Sequence, residues 1–273
     1  MSEFIKIEIP VPQARANMIY DESIKKELKK PKFSMYAVML IDEAVDLGIL
    51  DKEYYIESRN VAEREWNGED AKADGLRQSK LAEQVRYLRE LYDEGHEMAY
   101  PLYERWLQCL SLGYEDASRR WKILQRKELD RINSCMGENL VSQTLYMGFP
   151  ELRRENLDII ARSWGPSAKL ADNICDLWND VSREGYINVP REEIENLRGL
   201  DIQNDKVEGV GTELAIEKSY LLSKIKEVKR EFKRSEDLFM SIIREIKINE
   251  ERLSLFKNFV HAWILEARRT YNL

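Results

Sequence analysis

The sequence predicts an all-α protein, a single large helical bundle spanning residues 1–273, on three observations. Only one stretch alternates apolar and polar residues as a strand does, Phe4-Ile5-Lys6-Ile7-Glu8-Ile9, and Pro10 and Pro12 close it. From about residue 20 onward, apolar residues recur at the three- and four-residue intervals of a helix face. A chain of 273 residues that is 43% hydrophobic can also bury one substantial core.

In chain order, residues 1–13 read as a short extended arm. Pro31 precedes Phe33-Ser34-Met35-Tyr36-Ala37-Val38-Met39-Leu40-Ile41, an almost unbroken apolar run that ends in Asp42-Glu43-Ala44-Val45-Asp46 and stops at Gly48. Residues 51–75 are polar and punctuated by Gly68 and Gly75, which predicts a loop. A helix is expected over Lys80–Met98, with a break at Pro101 before Tyr103–Leu112. Gly113 then separates a further helix running through Trp121 and Leu124. Lys127–Met147 reads as one long helix despite Gly137, closed by Gly148-Phe149-Pro150. Glu151–Ser163 makes another, and Gly165-Pro166 would start the next, with proline at an early position where helices tolerate it. Gly185 and Pro190 mark a loop, and Glu192–Leu200 adds a turn or two. Residues 201–211 form a polar linker, the best place for a weak boundary. The remaining ~60 residues hold neither Gly nor Pro and divide into two or three helices near Ser235 and Asn249.

Composition narrows the functional classes. A net charge of −7 with 34% charged residues argues against a nucleic-acid binder, whose affinity rests on phosphate contacts. Cys109, Cys135 and Cys175 lie far apart and match neither a disulfide framework nor a zinc spacing. His96 and His261 alone supply little for an imidazole metal site or a Ser-His-Asp triad. No uncharged apolar run approaches the ~20 residues a membrane span needs. Met1-Ser2-Glu3-Phe4-Ile5-Lys6 carries charge too early for a secretory leader, so the expectation is a soluble, cytoplasmic protein.

The unusual stretch is Gly165–Val181. At ~100° per residue, Asp172, Asp176, Asn179 and Asp180 fall within one arc of a helix, opposite Leu170, Ile174, Leu177 and Val181. Aspartates stacked four apart destabilise a helix by roughly 0.2–0.5 kcal/mol per pair, and Asp is a poor helix former. Only Lys169 is near enough to relieve them. Asp42, Glu43 and Asp46 make a second acidic face with the same four-residue step. Two such helices facing each other would present carboxylates from opposite walls, which suits Mg²⁺, an ion that needs one or two carboxylates plus water and phosphate oxygens. The competing expectation is a non-catalytic helical protein whose acidic faces are solvated or meet a basic partner.

Asp42-Glu43-x-x-Asp46 resembles the first aspartate-rich motif of squalene and phytoene synthases. Leu170-Ala171-Asp172-Asn173-Ile174-Cys175-Asp176-Leu177-Trp178-Asn179-Asp180, followed by Gly185 and Pro190, resembles their second. Lys127-Glu128-Leu129-Asp130-Arg131 with Gly137 is similar to the central helix between them, so the resemblance covers roughly residues 33–190. Met39 and Cys175 stand where those enzymes usually have Arg, and Arg131 where they have Tyr. Asp172-Asn173-x-x-Asp176 also looks like the second motif of head-to-tail polyprenyl diphosphate synthases, and Asn179-Asp180-Val181-Ser182 is faintly similar to a metal motif of terpene cyclases.

The resemblance implies the isoprenoid synthase fold, with a central apolar cavity, and a prenyl diphosphate as substrate. It implies Mg²⁺ held by Asp42, Glu43 and Asp46 on one wall and Asp172, Asp176 and Asp180 on the other, with Asp42, Asp46, Asp176 and Asp180 carrying the catalysis. Lys169, Arg131 and Tyr36 are the candidates for binding substrate, with Trp164, Tyr146 and Phe149 among the aromatic lining. The chemistry implied is ionisation of the diphosphate and carbon–carbon bond formation, by condensation, by cyclisation of one substrate or by head-to-tail transfer. The enzyme would carry no membrane span but would reach membrane-derived lipids from the bilayer surface.

Overall fold

The computed structural model describes residues 36–69, 71–149, 151–180, 185–194 and 218–244, with positions 246, 248, 250, 253, 254 and 257. The arm at 1–13 and the linker at 201–211 lie outside the described residues. Among the described residues the protein is helical and holds no strand, as the apolar spacing predicts. The helices are α1 (Tyr36–Asp46), α2 (Glu53–Trp66), α3 (Gly75–Asp93), α4 (Ala99–Ala117), α5 (Arg126–Gly148), α6 (Arg154–Asn179), the single turn α7 (Arg191–Ile194) and α8 (Lys218–Ile243).

Helix α2 lies where a loop was expected. Its inward face consists of Tyr55, Ser58, Val61, Ala62 and Glu65, a helical stripe in which a hydroxyl, a methyl and a carboxylate stand among the apolar side chains. Glu65 tolerates burial because Arg86 of α3 donates to its Oε2 at 3.0 and 3.2 Å, and the Ala71 backbone N–H donates to Oε1 at 3.3 Å. Helix α3 is displaced toward the N-terminus of its expected span, beginning at Gly75 and ending at Asp93. Pro101 does not break α4, because it falls in the first turn, where its missing N–H has no intrahelical partner to lose.

The two helices expected on either side of Gly165-Pro166 are one, α6, with Pro166 inside it. Proline costs an interior backbone bond, and packing carries the helix through. Trp164 is buried beside it, and its ring meets Phe239 of α8 edge-on at 5.4 Å. Phe239 meets Phe149 in the same manner at 5.6 Å. Helix α8 likewise runs unbroken through Ser235, whose hydroxyl bonds the Ser163 carbonyl at 2.9 Å and the Ser163 hydroxyl at 2.8 Å, anchoring α8 to α6.

The most extensive packing is α5 on α6, with α8 laid along α6; α1 to α4 pack on one another, and α4 joins them to α5. One continuous apolar cluster, from Ile41 and Val45 through Trp106 and Trp164 to Phe239, runs beneath all of these helices. At the α5–α6 crossing, Gly137 faces Gly165. A Cβ on Gly137 would stand 2.5 Å from the Gly165 carbonyl carbon, and one on Gly165 would stand 2.5 Å from the Glu138 Cα, so backbone rests directly on backbone there. No helix among the described residues is long and apolar enough to cross a membrane.

Candidate functional site: an acidic cluster between two helices

Helix α1 ends in the acidic run, and its last carbonyls are met by Arg120, which donates to the Val45 oxygen at 3.2 Å and to that of Asp46. Arginine at a helix C-terminus satisfies the orphan carbonyls and opposes the dipole. Asp42, one turn earlier, accepts a 2.5 Å hydrogen bond on Oδ1 from the Tyr55 hydroxyl of α2. Tyr55 reaches it by lying flat against Gly113 of α4, where a Cβ would stand 2.6 Å from the ring carbon that bears the hydroxyl.

Helix α6 supplies the second wall. Close contact at Gly137 and Gly165 leaves the Lys169 Cβ 3.1 Å from where a Gly137 side chain would begin, so Lys169 is held near the crossing. Its side chain is only 17% exposed, and its ammonium donates to Asp172 Oδ2 at 2.8 Å. At the end of α6, Asp180 is buried and accepts from Asn188 Nδ2 at 2.6 Å. Tyr186, from the same post-helix segment, donates its hydroxyl to Asp46 Oδ1 at 2.8 Å. Asp116 from α4 is paired with the buried Arg119, whose Nη2 donates to Asn188 Oδ1 at 2.7 Å.

The electrostatics bind these pieces into one cluster. Burial holds the Asp42 carboxyl above the usual carboxylate range, with Asp116 and Asp172 adding to the effect and the Tyr55 bond and Lys169 opposing it. Burial works against the Lys169 ammonium, but Asp172, Asp180 and Asp116 outweigh it and raise its pKa. Tyr55 and Tyr186 are both pushed far above the ordinary phenol range, by burial and then by the carboxylates beside them. Each is therefore a hydrogen-bond donor at neutral pH. Asp42 on α1 and Asp172 and Asp180 on α6 thus act on one another directly or through Lys169, across residues 130 or more positions apart in sequence.

Of the residues expected from sequence, Asp42, Asp46, Lys169, Asp172 and Asp180 come together here. Asp176, partly buried, lies on the same arc of α6 one turn before Asp180. Arg131 is not brought in: it is exposed on α5 and pairs with Glu115. The side chains of Tyr36 and Glu43 lie outside the described residues. Among the aromatic candidates, Trp164 and Phe149 pack on Phe239 in the core, and Tyr146 turns its hydroxyl to Asp158 and Arg105.

Sequence reasoning missed Tyr55, Asp116, Tyr186, Asn188 and Asn173. Asn173 is the most telling: it is 3% exposed, and neither its Oδ1 nor its Nδ2 has a hydrogen-bond partner. It stands four residues after Lys169 and seven before Asp180, within their arc of α6. Its place inside the acidic stripe was a usable signal; the others lie on α2, on α4 and in the 185–190 segment, with no periodic mark.

Behind Asp42 the interior turns polar. Burial pushes the Cys109 thiol up to about 12, and this thiol bonds Asn139 Oδ1 at 2.9 Å and accepts from Gln143 Nε2 at 3.1 Å. The arrangement offers hard oxygen donors from two helices, one buried ammonium and two neutral phenols. Among the described residues no three carboxylate, imidazole or thiol groups stand close enough to hold a metal by themselves. Comparison with family models, with curated proteins and with solved structures finds no match.

Proposed function

We propose that this chain is a Mg²⁺-dependent enzyme acting on a prenyl diphosphate, nearest in kind to squalene and phytoene synthases. Its reaction would be ionisation of the substrate and formation of a carbon–carbon bond, within an isoprenoid synthase-like bundle. The observation that carries the reading is the convergence of Asp42 from α1 with Asp172 and Asp180 from α6 on one largely buried cation, Lys169, with Asp46 tied to the end of α6 through Tyr186. Single-substrate cyclisation and head-to-tail transfer use the same apparatus and differ in what the substrate's carbon skeleton meets next.

The donor set fits magnesium. The Tyr55 bond occupies Oδ1 of Asp42 and the Lys169 bond Oδ2 of Asp172, so each carboxylate is oriented by one donor and presents its other oxygen. Asn173 adds a buried carbonyl oxygen with no partner in the protein, the kind of orphan a bound ion or its water would satisfy. Magnesium keeps several waters and takes one or two carboxylates plus phosphate oxygens, so a site assembled fully only with substrate suits it. Bound there, the ion would neutralise charge on the diphosphate leaving group. Asp42 and Asp172, one from each wall, would hold it with water and diphosphate oxygens, and Glu43, Asp46, Asp176 and Asp180 are the further expected ligands, direct or through water. Lys169, paired with Asp172, would be the cation that meets diphosphate oxygens. Tyr55 and Tyr186 hold their carboxylates in fixed orientations.

A second reading has its own observation: Lys169, Arg119 and Arg120 already stand among these aspartates, so the cluster is largely compensated from within. In that case the protein is a non-catalytic helical binding partner. Incubation with farnesyl or geranylgeranyl diphosphate and Mg²⁺, measuring released diphosphate and extractable product, separates the two. The enzyme reading expects Mg²⁺-dependent turnover that Asp176→Asn abolishes with little change in melting temperature. Absence of turnover at every chain length, together with no stabilisation by Mg²⁺ and diphosphate, would establish the second.

A further inference from the structure

Two stretches outside the helices interlock beside the acidic cluster: residues 119–124, which follow α4, and residues 185–190, which lead into α7. The Trp121 backbone N–H donates to the Gly185 carbonyl at 2.6 Å, and the Arg191 N–H to that of Leu124 at 2.9 Å. Trp121 holds φ at +62°, in the left-handed region that bulky residues avoid, and Gly185 holds +78°. The Trp121 indole lies flat on Gly185, where a Cβ would stand 2.5 Å from Cε2. Such a conformation persists only where its surroundings dictate it. Here those surroundings are the ring contact and backbone bond between Trp121 and Gly185.

The segment ties the walls to each other. Tyr186 donates its backbone N–H to the Asp180 carbonyl at 2.8 Å, on α6, and its hydroxyl to Asp46 Oδ1 at 2.8 Å, on α1. Asn188 fixes the Asp180 carboxylate through Oδ2 and is itself fixed by Arg119. The Tyr186 ring lies under the Arg119 and Arg120 guanidinium groups, at 5.3 and 5.4 Å from its centroid, and Arg120 also grips the end of α1.

We propose that the Tyr186–Asn188 segment is a clamp that sets the orientation of the carboxylates on both walls, with Tyr186 and Asn188 as positioning residues and the Trp121–Gly185 contact as its clip. The proposal rests on reading the cluster as a divalent-cation site. Groups that orient a metal's ligands typically contribute 10–100-fold to its affinity. A packing role alone would show in the melting temperature and not in the binding of Mg²⁺.

The test is isothermal titration of the full chain with Mg²⁺, alone and with saturating inorganic diphosphate, beside melting curves taken without metal. Tyr186→Phe keeps the ring under its arginines and removes only the hydroxyl; Asn188→Ala is the second variant. The clamp expects each to weaken Mg²⁺ binding about tenfold while the metal-free melting temperature moves little. Wild-type affinity in both variants would overturn the clamp and leave the metal site standing. A wild-type chain that takes up no Mg²⁺, with or without diphosphate, would overturn both. Gly185→Ala, which forces the clip apart, should reproduce the loss of affinity; normal affinity there would remove Trp121 and Gly185 from the device.

Discussion

Gly137→Ala tests how closely α5 and α6 must approach. In an exposed helix the change would stabilise the protein by about 1 kcal/mol, because alanine forms helix better than glycine. At this crossing the new Cβ would sit 2.5 Å from the Gly165 carbonyl carbon and closer still to its oxygen, against a floor near 3.0 Å for real contacts. The obstacle is backbone and cannot swing aside as a flexible side chain would. The helices must part by something near 1 Å along the most extensive contact in the fold, and overpacking of this kind costs roughly 1–3 kcal/mol or more. Because the clash is with backbone, the cost falls at the top of that range, and set against the propensity gain the net expectation is a loss of about 2 kcal/mol, or roughly 4–8 °C in melting temperature for a protein of this size. Gly165→Ala should cost a similar amount. The double variant should cost much less than the two together, because a single separation of the helices relieves both clashes. Urea and thermal unfolding of the three variants measure this. A Gly137→Ala protein as stable as the wild type, or two losses that simply add, would refute the close crossing and the placement of Lys169 that follows from it.

Two carboxylates should respond to pH in opposite senses. Burial pushes Glu193 up, but Lys224 and Arg126 outweigh it and hold its pKa below the usual value. Its ionised form therefore stabilises the fold above about pH 4.5, and the contribution fades as pH falls through the depressed value. Glu193→Gln should cost on the order of 1–2 kcal/mol at pH 7 and progressively less as pH falls below about 4.5, read from urea midpoints; a loss that does not shrink with falling pH would show that the ion pairs are not its cause. Asp42 is raised by burial, so its contribution is fully present below about pH 3.8 and is lost as pH rises through the raised value. In chelator-treated protein, Asp42→Asn should gain stability relative to wild type between pH 4 and 7, and a variant that loses ground over that range would contradict the assigned burial.

The sequence made the helical class legible because apolar spacing is local, and it made the acidic stripes legible because aspartates four apart are costly without a use. It concealed α2, whose buried face includes Ser58 and Glu65, since a carboxylate turned inward only makes sense once Arg86 is known to meet it. It misplaced the start of the acidic helix because Gly165-Pro166 reads as punctuation. The glycine is in fact a contact surface for α5, and the proline is carried by the packing of Trp164 on Phe239. Tyr55, Asp116, Tyr186 and Asn188 were invisible for a different reason. They belong to three separate stretches, and what unites them is the tertiary packing that brings α2, α4 and the 185–190 segment to the ends of α1 and α6, which no window of sequence contains.

Compensation by Lys169, Arg119 and Arg120 is enough to explain why five aspartates can gather at one place, so the carboxylates alone do not decide between a metal site and a self-contained polar core. Asn173 weighs on the other side. A buried amide with both polar atoms unpaired costs about 1–3 kcal/mol for each lost partner, and its position on α6 is flanked by Ile174 and Leu177, among which leucine would pack at no such cost. A cluster serving only to join helices gains nothing from that arrangement. One that receives an ion and the oxygens of a diphosphate does, because the unpaired carbonyl and amide then meet the partners they lack inside the protein. On this argument Asn173→Leu should stabilise the metal-free chain while weakening its hold on Mg²⁺. Parallel changes in both, in either direction, would return the cluster to the role of packing.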